Sequence, residues 1–179
     1  MIQPPAPDGV SVRRAMLKTQ ERLLKAIPQA WSASSCQTKS ANCEAVLTTI
    51  AGFATLSTYP VQLAALGAIT QLLLSFLPPD GDKESTASTI ETRIWSIVLQ
   101  PICTSLENMK YSSIREEAFK CSDALIKLTQ HGLKYTSEQI ASLVAALRSS
   151  ELSLKKSEFH DRVATLINLT DAFKDRTSQ

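Results

Sequence analysis

The sequence predicts an all-α protein: a right-handed α-solenoid of about three HEAT- or armadillo-like helix pairs, with an extra N-terminal helix. Three observations predict it. Val61, Ala65, Ala68 and Leu72 recur at 4, 3, 4 spacing, Ile114, Ala118, Cys121 and Leu125 repeat it, and Phe159, Val163 and Leu166 repeat it again with Thr170 in fourth place. Residues so spaced share one face of an α-helix. The three stripes are offset by 53 and 45 residues, close to the ~40–47 residues of HEAT and armadillo units. Each stripe also follows a second helical segment, and a lone hairpin cannot cover its own apolar face, so neighbours must stack. An ordinary helical bundle shares the same periodicity; the repeat spacing is what favours the solenoid.

Taken in order, residues 1–10 form a Pro-rich disordered lead-in with no pattern. Residues 11–41 hold the N-terminal helix and a polar loop. The helix covers about 11–26, with Val12, Ala15, Met16, Leu23 and Ile27 favouring one side. Pro28 interrupts it, a short turn carries Trp31, and a small-polar loop fills 32–42. The repeats occupy 42–174, divided at about 42–77, 88–130 and 136–174, and a frayed tail covers 175–179.

In the first pair Val46, Ile50 and Phe53 mark one helix, and Pro60 sits in the first turn of the next, where its missing N–H is harmless. Leu63, Leu66, Ile69, Leu73 and Phe76 widen that second helix's stripe until it is apolar almost all round, so it lies deep. Residues 78–87 carry Pro, Gly and charge without periodicity and form the main loop. Ser88 and Glu91 then make a capping box for a helix with Ile90, Ile94, Ile97 and Val98. Pro101 kinks that helix near Leu99 without stopping it.

The following helix is the most strongly patterned of all. Ser113 and Glu116 fit a capping box, Ile114 to Leu128 supply the apolar face, and Glu116–Lys120 and Asp123–Lys127 pair on the exposed faces. His131-Gly132 ends it, Gly supplying the left-handed C-cap conformation. Thr136 and Gln139 make a third capping box for a helix through Leu147, residues 148–155 connect, and a last helix runs about 156–174.

Composition narrows the function classes. At 179 residues, with 44% hydrophobic and 20% charged residues, the chain suits one soluble domain. A net charge of +2 with only isolated pairs, Arg13-Arg14 and Lys155-Lys156, gives no basic face for nucleic acid. No apolar run approaches the ~20 residues of a membrane span. The N-terminus lacks a signal-like apolar segment, and Cys36, Cys43, Cys103 and Cys121 form no C-x-x-C pair. Reduced thiols in cytoplasm and nucleus are therefore expected.

Chemistry-bearing patterns are sparse. His131 and His160 are the only histidines, too few for the convergent ligands a metal needs. Serines are plentiful, but no G-x-S-x-G elbow supports a nucleophile. Asp80, Asp82 and Glu84 lack the further ligands and closing Glu of a calcium loop. No catalytic residue, cofactor site or metal site is assigned. Trp31 and Trp95 are packing residues, whereas Tyr111 and Arg115, a loop aromatic beside an Arg, are the candidate protein-contact surface.

The same stretch carries a family likeness. Ser105-Leu106-Glu107-Asn108, then Tyr111-Ser112-Ser113-Ile114-Arg115 and Glu117-Ala118, resembles the extreme C-terminal end of the large HEAT-repeat proteasome adaptor and scaffold proteins. The loop there reads Ser-Leu-Glu-Asn, two variable residues, Tyr-Ser-Ser, an aliphatic and Arg. Val61-Gln62-Leu63 upstream is similar to the preceding helix of that family, and the likeness covers about residues 44–173. It implies a C-terminal fragment or shortened product of such a scaffold, with no catalytic residues. The implied partners are proteasome subunits of the regulatory or core particle, whose association or quality control the family serves. The alternative is an armadillo-like adaptor that takes a peptide in a concave groove, for nuclear transport or other complex assembly. Against it, Asn42, Asn108 and Asn168 do not fall in equivalent repeat positions.

Overall fold

Apolar stripes spaced for helices can only be buried by other helices here, and that is how the chain is arranged. A computed structural model describes residues 9–77, 93–153 and 168. Among these, six helices follow in order: α1 (Gly9–Ala33), α2 (Cys36–Leu56), α3 (Tyr59–Ser75), α4 (Arg93–Leu106), α5 (Ser112–Gln130) and α6 (Ser137–Ser153). No strand occurs among the described residues. α2 pairs with α3, and α4 pairs with α5; between pairs, α3 packs on α5, and α2 on α4. α1 extends the first row by packing on α3, and α6 extends the second by packing on α4. The result is a two-layer, solenoid-like ladder, with α1, α3 and α5 in one layer and α2, α4 and α6 in the other. The helix expected at 156–174, like the loop at 78–87 and the capping box of Ser88 and Glu91, lies outside the described residues, residue 168 excepted.

The shared stripes form the seam of the ladder. Val61, Ala65 and Leu72 on α3 and Ile114, Ala118, Cys121 and Leu125 on α5 are all essentially inaccessible. Leu66, Ile69 and Leu73 are buried on the other side of α3, which accounts for its all-round apolar sequence. From α4, Trp95, Val98 and Ile102 fill the space between layers, and Pro101 sits buried inside a continuous helix.

The N-terminal region differs from expectation. α1 runs unbroken through Pro28, although the ring removes the amide that would bond the Leu24 carbonyl. Tertiary anchoring compensates: Leu24 and Trp31, on either side of Pro28, are buried, and Trp31 meets Phe76 edge-on at 5.9 Å between ring centres. The small-polar loop expected at 32–42 shrinks to Ser34 and Ser35, because α2 begins at Cys36 and the Lys39 amide closes its first turn on the Ser35 carbonyl at 3.0 Å. No apolar stripe marks those turns, so a periodicity argument passes over them.

Helix ends follow the expected chemistry in two of three described cases. Thr136 and Gln139 form a reciprocal capping box, amide to side-chain oxygen at 2.9 and 3.2 Å. At the end of α5 the Leu133 amide bonds the Leu128 carbonyl, the Gly132 amide bonds the Thr129 carbonyl, and Gly132 takes φ 102°. That is a Schellman closure, with Leu128 and Leu133 both buried as its apolar contact. The start of α5 departs from the expected box: its N-cap is Tyr111, with no side-chain cap, and Ser113 is already helical. The Ser113 hydroxyl is engaged elsewhere, 2.9 Å from the Tyr59 hydroxyl. Lys120 likewise pairs with Glu117 at 2.8 Å, not with Glu116 as expected, while Asp123–Lys127 forms as expected. Glu117 is the more shielded carboxylate, so a nearby ammonium gains more by reaching it. α6 continues past Leu147 to Ser153.

Candidate protein-contact surface

The link between α4 and α5 is five residues, 107–111, and its geometry is set by one side chain. Asn108 Oδ1 accepts the Lys110 amide at 3.0 Å and the Tyr111 amide at 2.9 Å, the local turn that Asn forms readily. One turn into α5, Arg115 reaches back and donates Nη1 to the Asn108 carbonyl at 2.5 Å. The guanidinium thus ties the turn to the helix that follows it. Arg115 Nε is buried without a partner among the described residues.

A second set of contacts ties the link to α3. The Tyr111 ring lies on Tyr59 with ring centres 4.3 Å apart and planes at 38°. Lys110 Nζ sits over the Tyr111 ring, 5.0 Å from its centre. The Tyr59–Ser113 hydroxyl pair closes the assembly. Tyr111 and Arg115, singled out in the sequence, therefore converge on one loop, Tyr111 as its last residue and Arg115 from the first turn of α5, both half-buried and both holding it in shape. What the loop presents is its tip: Met109 is 78% exposed, and Glu107 and Lys110 are exposed beside it. Met109 and Tyr59 escaped the sequence reasoning. An apolar residue following an Asn turn was the available signal for the first, and nothing local marked the second.

Tyr59 also belongs to a shallow groove of about 430 Å³ between α1 and α3. Leu24, Pro28, Leu63 and Ala64 give it apolar walls, and Glu21 and Glu117 place carboxylates along it. Glu21 is bonded to Lys25 at 2.6 Å.

Burial, with Glu44 nearby, raises the Cys43 thiol to about 11; burial, with Glu107 nearby, raises Cys103 to about 11. Burial raises Cys121 to about 12. Thiols so shifted stay protonated and are poor nucleophiles. Among the described residues no three His, Cys, Asp or Glu side chains gather as metal ligands, and no helix is long and apolar enough to cross a membrane. His131 stands at the C-cap of α5, while His160 and the acidic loop residues lie outside the described residues.

No protein family matches this chain. Comparison with curated proteins and with solved structures finds no significant match either. The candidate surface consists of a braced, aromatic-backed loop with an exposed tip, beside a groove walled by α1 and α3.

Proposed function

We propose that this chain is a non-catalytic scaffold segment that binds the proteasome and contributes to the association or quality control of core and regulatory particles in cytoplasm and nucleus. The reading draws on the sequence likeness at residues 105–118. The observation that carries it is the bracing of that same stretch by Asn108, Tyr111 and Arg115. A loop already held in one shape loses less conformational freedom on binding, and Met109 and Lys110 are its exposed contacts. Affinity purification of the tagged chain from cells is the test. Proteasome subunits are expected in the eluate, reduced by the pair Met109→Asp and Lys110→Glu; an eluate without proteasome subunits above the tag-only control ends the reading.

A second reading, an armadillo-like peptide adaptor, is favoured by the groove between α1 and α3, where Glu21 and Glu117 could face a basic peptide. It predicts that Glu117→Lys abolishes capture of such a peptide and that the Met109 and Lys110 pair leaves it unchanged.

A further inference from the structure

α1 is a helix with three faces. At 100° per residue, Leu17, Leu24 and Trp31 fall within about 40° of arc and face the ladder. Arg14, Lys18, Arg22 and Lys25 fall within about 80° on another side, all exposed. Val12, Met16 and Leu23 form a third stripe within about 40°, and they are 43%, 59% and 61% exposed. Between the cations and this apolar stripe lie Ala15, Thr19, Ala26 and Ala33, all small and exposed. The helix carries five basic residues against a single acid, Glu21.

The apolar stripe runs on into a groove between α1 and α2. That groove, about 440 Å³, is walled by Ile27, Ala30 and Trp31 on one side and Val46, Thr49 and Ile50 on the other. Its place in the ladder indicates what shape fits it. Inside the ladder α4 packs on α2, α5 and α6, so a helix of that layer sits beside its neighbours and over one helix of the other layer. Among the described helices α1 comes first in its layer and α2 first in the other, and a helix set over α1 beside α2 would lie along this groove. A rod of helix dimensions fits there, and the small residues of α1 let it approach closely. The charge pattern selects among helices. A second copy docking through its own α1 would set two strongly cationic faces together, which is repulsive. A helix bearing carboxylates beside its apolar stripe would instead meet Arg14, Lys18 and Arg22 with the opposite sign.

We propose that the outer face of α1, together with the α1–α2 groove, docks an amphipathic helix of another protein, apolar along one stripe and rich in Asp and Glu beside it. This site is separate from the α4–α5 loop and does not depend on the proteasome reading.

The test uses the full chain and a fluorescent synthetic helical peptide of about three heptads, with Leu on one stripe and Glu elsewhere, against a twin in which Lys replaces every Glu. Fluorescence anisotropy is expected to show saturable binding of the acidic peptide only, weakened by added salt. The pair Met16→Glu and Leu23→Glu is expected to weaken it by about tenfold or more, as is the triple Arg14→Glu, Lys18→Glu and Arg22→Glu. These side chains are exposed, so circular dichroism and thermal midpoints should match the parent, and Met109→Asp should leave binding unchanged. Equal binding of both peptides, absence of binding, or indifference to both variant sets overturns the proposal. So does binding to phosphatidylserine vesicles that Met16→Glu and Leu23→Glu abolish when the acidic peptide fails to bind, or a dimer in sedimentation that the same pair dissolves.

Discussion

Cys121 on α5 and Thr70 on α3 meet with sulfur and hydroxyl oxygen 3.0 Å apart at the buried seam between the two helices. The thiol donates to the Leu66 carbonyl at 3.1 Å, and the Thr70 hydroxyl bonds that same carbonyl. One carbonyl thus becomes the point at which a neighbouring helix is keyed. Burial at the seam favours the neutral thiol.

That gives a pH prediction with a definite sign. Burial holds the Cys121 thiol at about 12, above its ordinary value of 9.0. Between those values the unfolded chain releases a proton that the folded chain keeps, so stability is full below pH 9 and falls as pH rises. The slope from this one group is about 1.4 kcal/mol per pH unit. Urea denaturation between pH 8.5 and about pH 10 should show it, and Cys121→Ala, lower in stability at neutral pH, should show a shallower decline. Parallel declines in the two proteins would contradict this.

Tyr59 and Tyr111 offer a second test. Tyr111→Ala removes the ring that backs the α4–α5 loop and should destabilise the chain by about 1–2 kcal/mol. Tyr111→Phe keeps the ring pair and should cost little. Tyr59→Phe loses the hydroxyl contact with Ser113 and should cost about 0.5–1.5 kcal/mol. Denaturation midpoints at constant slope check all three.

Gly132 is the one described residue with positive φ, 102°. No atom lies near a Cβ built there, so the penalty for Gly132→Ala is purely conformational. A loss of about 1 kcal/mol or more is expected, with Thr136→Ala costing about the same by opening the capping box of α6. Thermal midpoints of the two variants should fall together.

How far the sequence could be read depends on what each feature is made of. The stripes of α3 and α5 were legible because large apolar residues repeat with the helix, and their members Val61, Ala65, Ile114 and Leu125 are all fully buried. The ends at Thr136 and Gly132 were legible because capping is local chemistry. Ser113 was misread because its sequence neighbours offer a capping box while its real partner, Tyr59, is 54 positions away. Pro28 was misread for a similar reason: the anchoring by Leu24 and Trp31 that carries α1 through it is tertiary. At the contact surface, Tyr111 and Arg115 were visible as residue types, but their bracing role depends on the Asn108 turn and on a ring from α3. Met109 had a local signal, an apolar residue following Asn108, but its solvent-facing position depends on how the turn is held.

The most direct measurement is binding of the labelled chain to purified proteasomes on native gels, with singly capped, doubly capped and free core particles in separate lanes. The account predicts comigration with at least one of these species, saturable by unlabelled chain and weakened by Met109→Asp with Lys110→Glu in a protein whose thermal midpoint is unchanged. Labelled chain that stays free of every particle at all concentrations, or that comigrates equally with and without the Met109 and Lys110 changes, would contradict it.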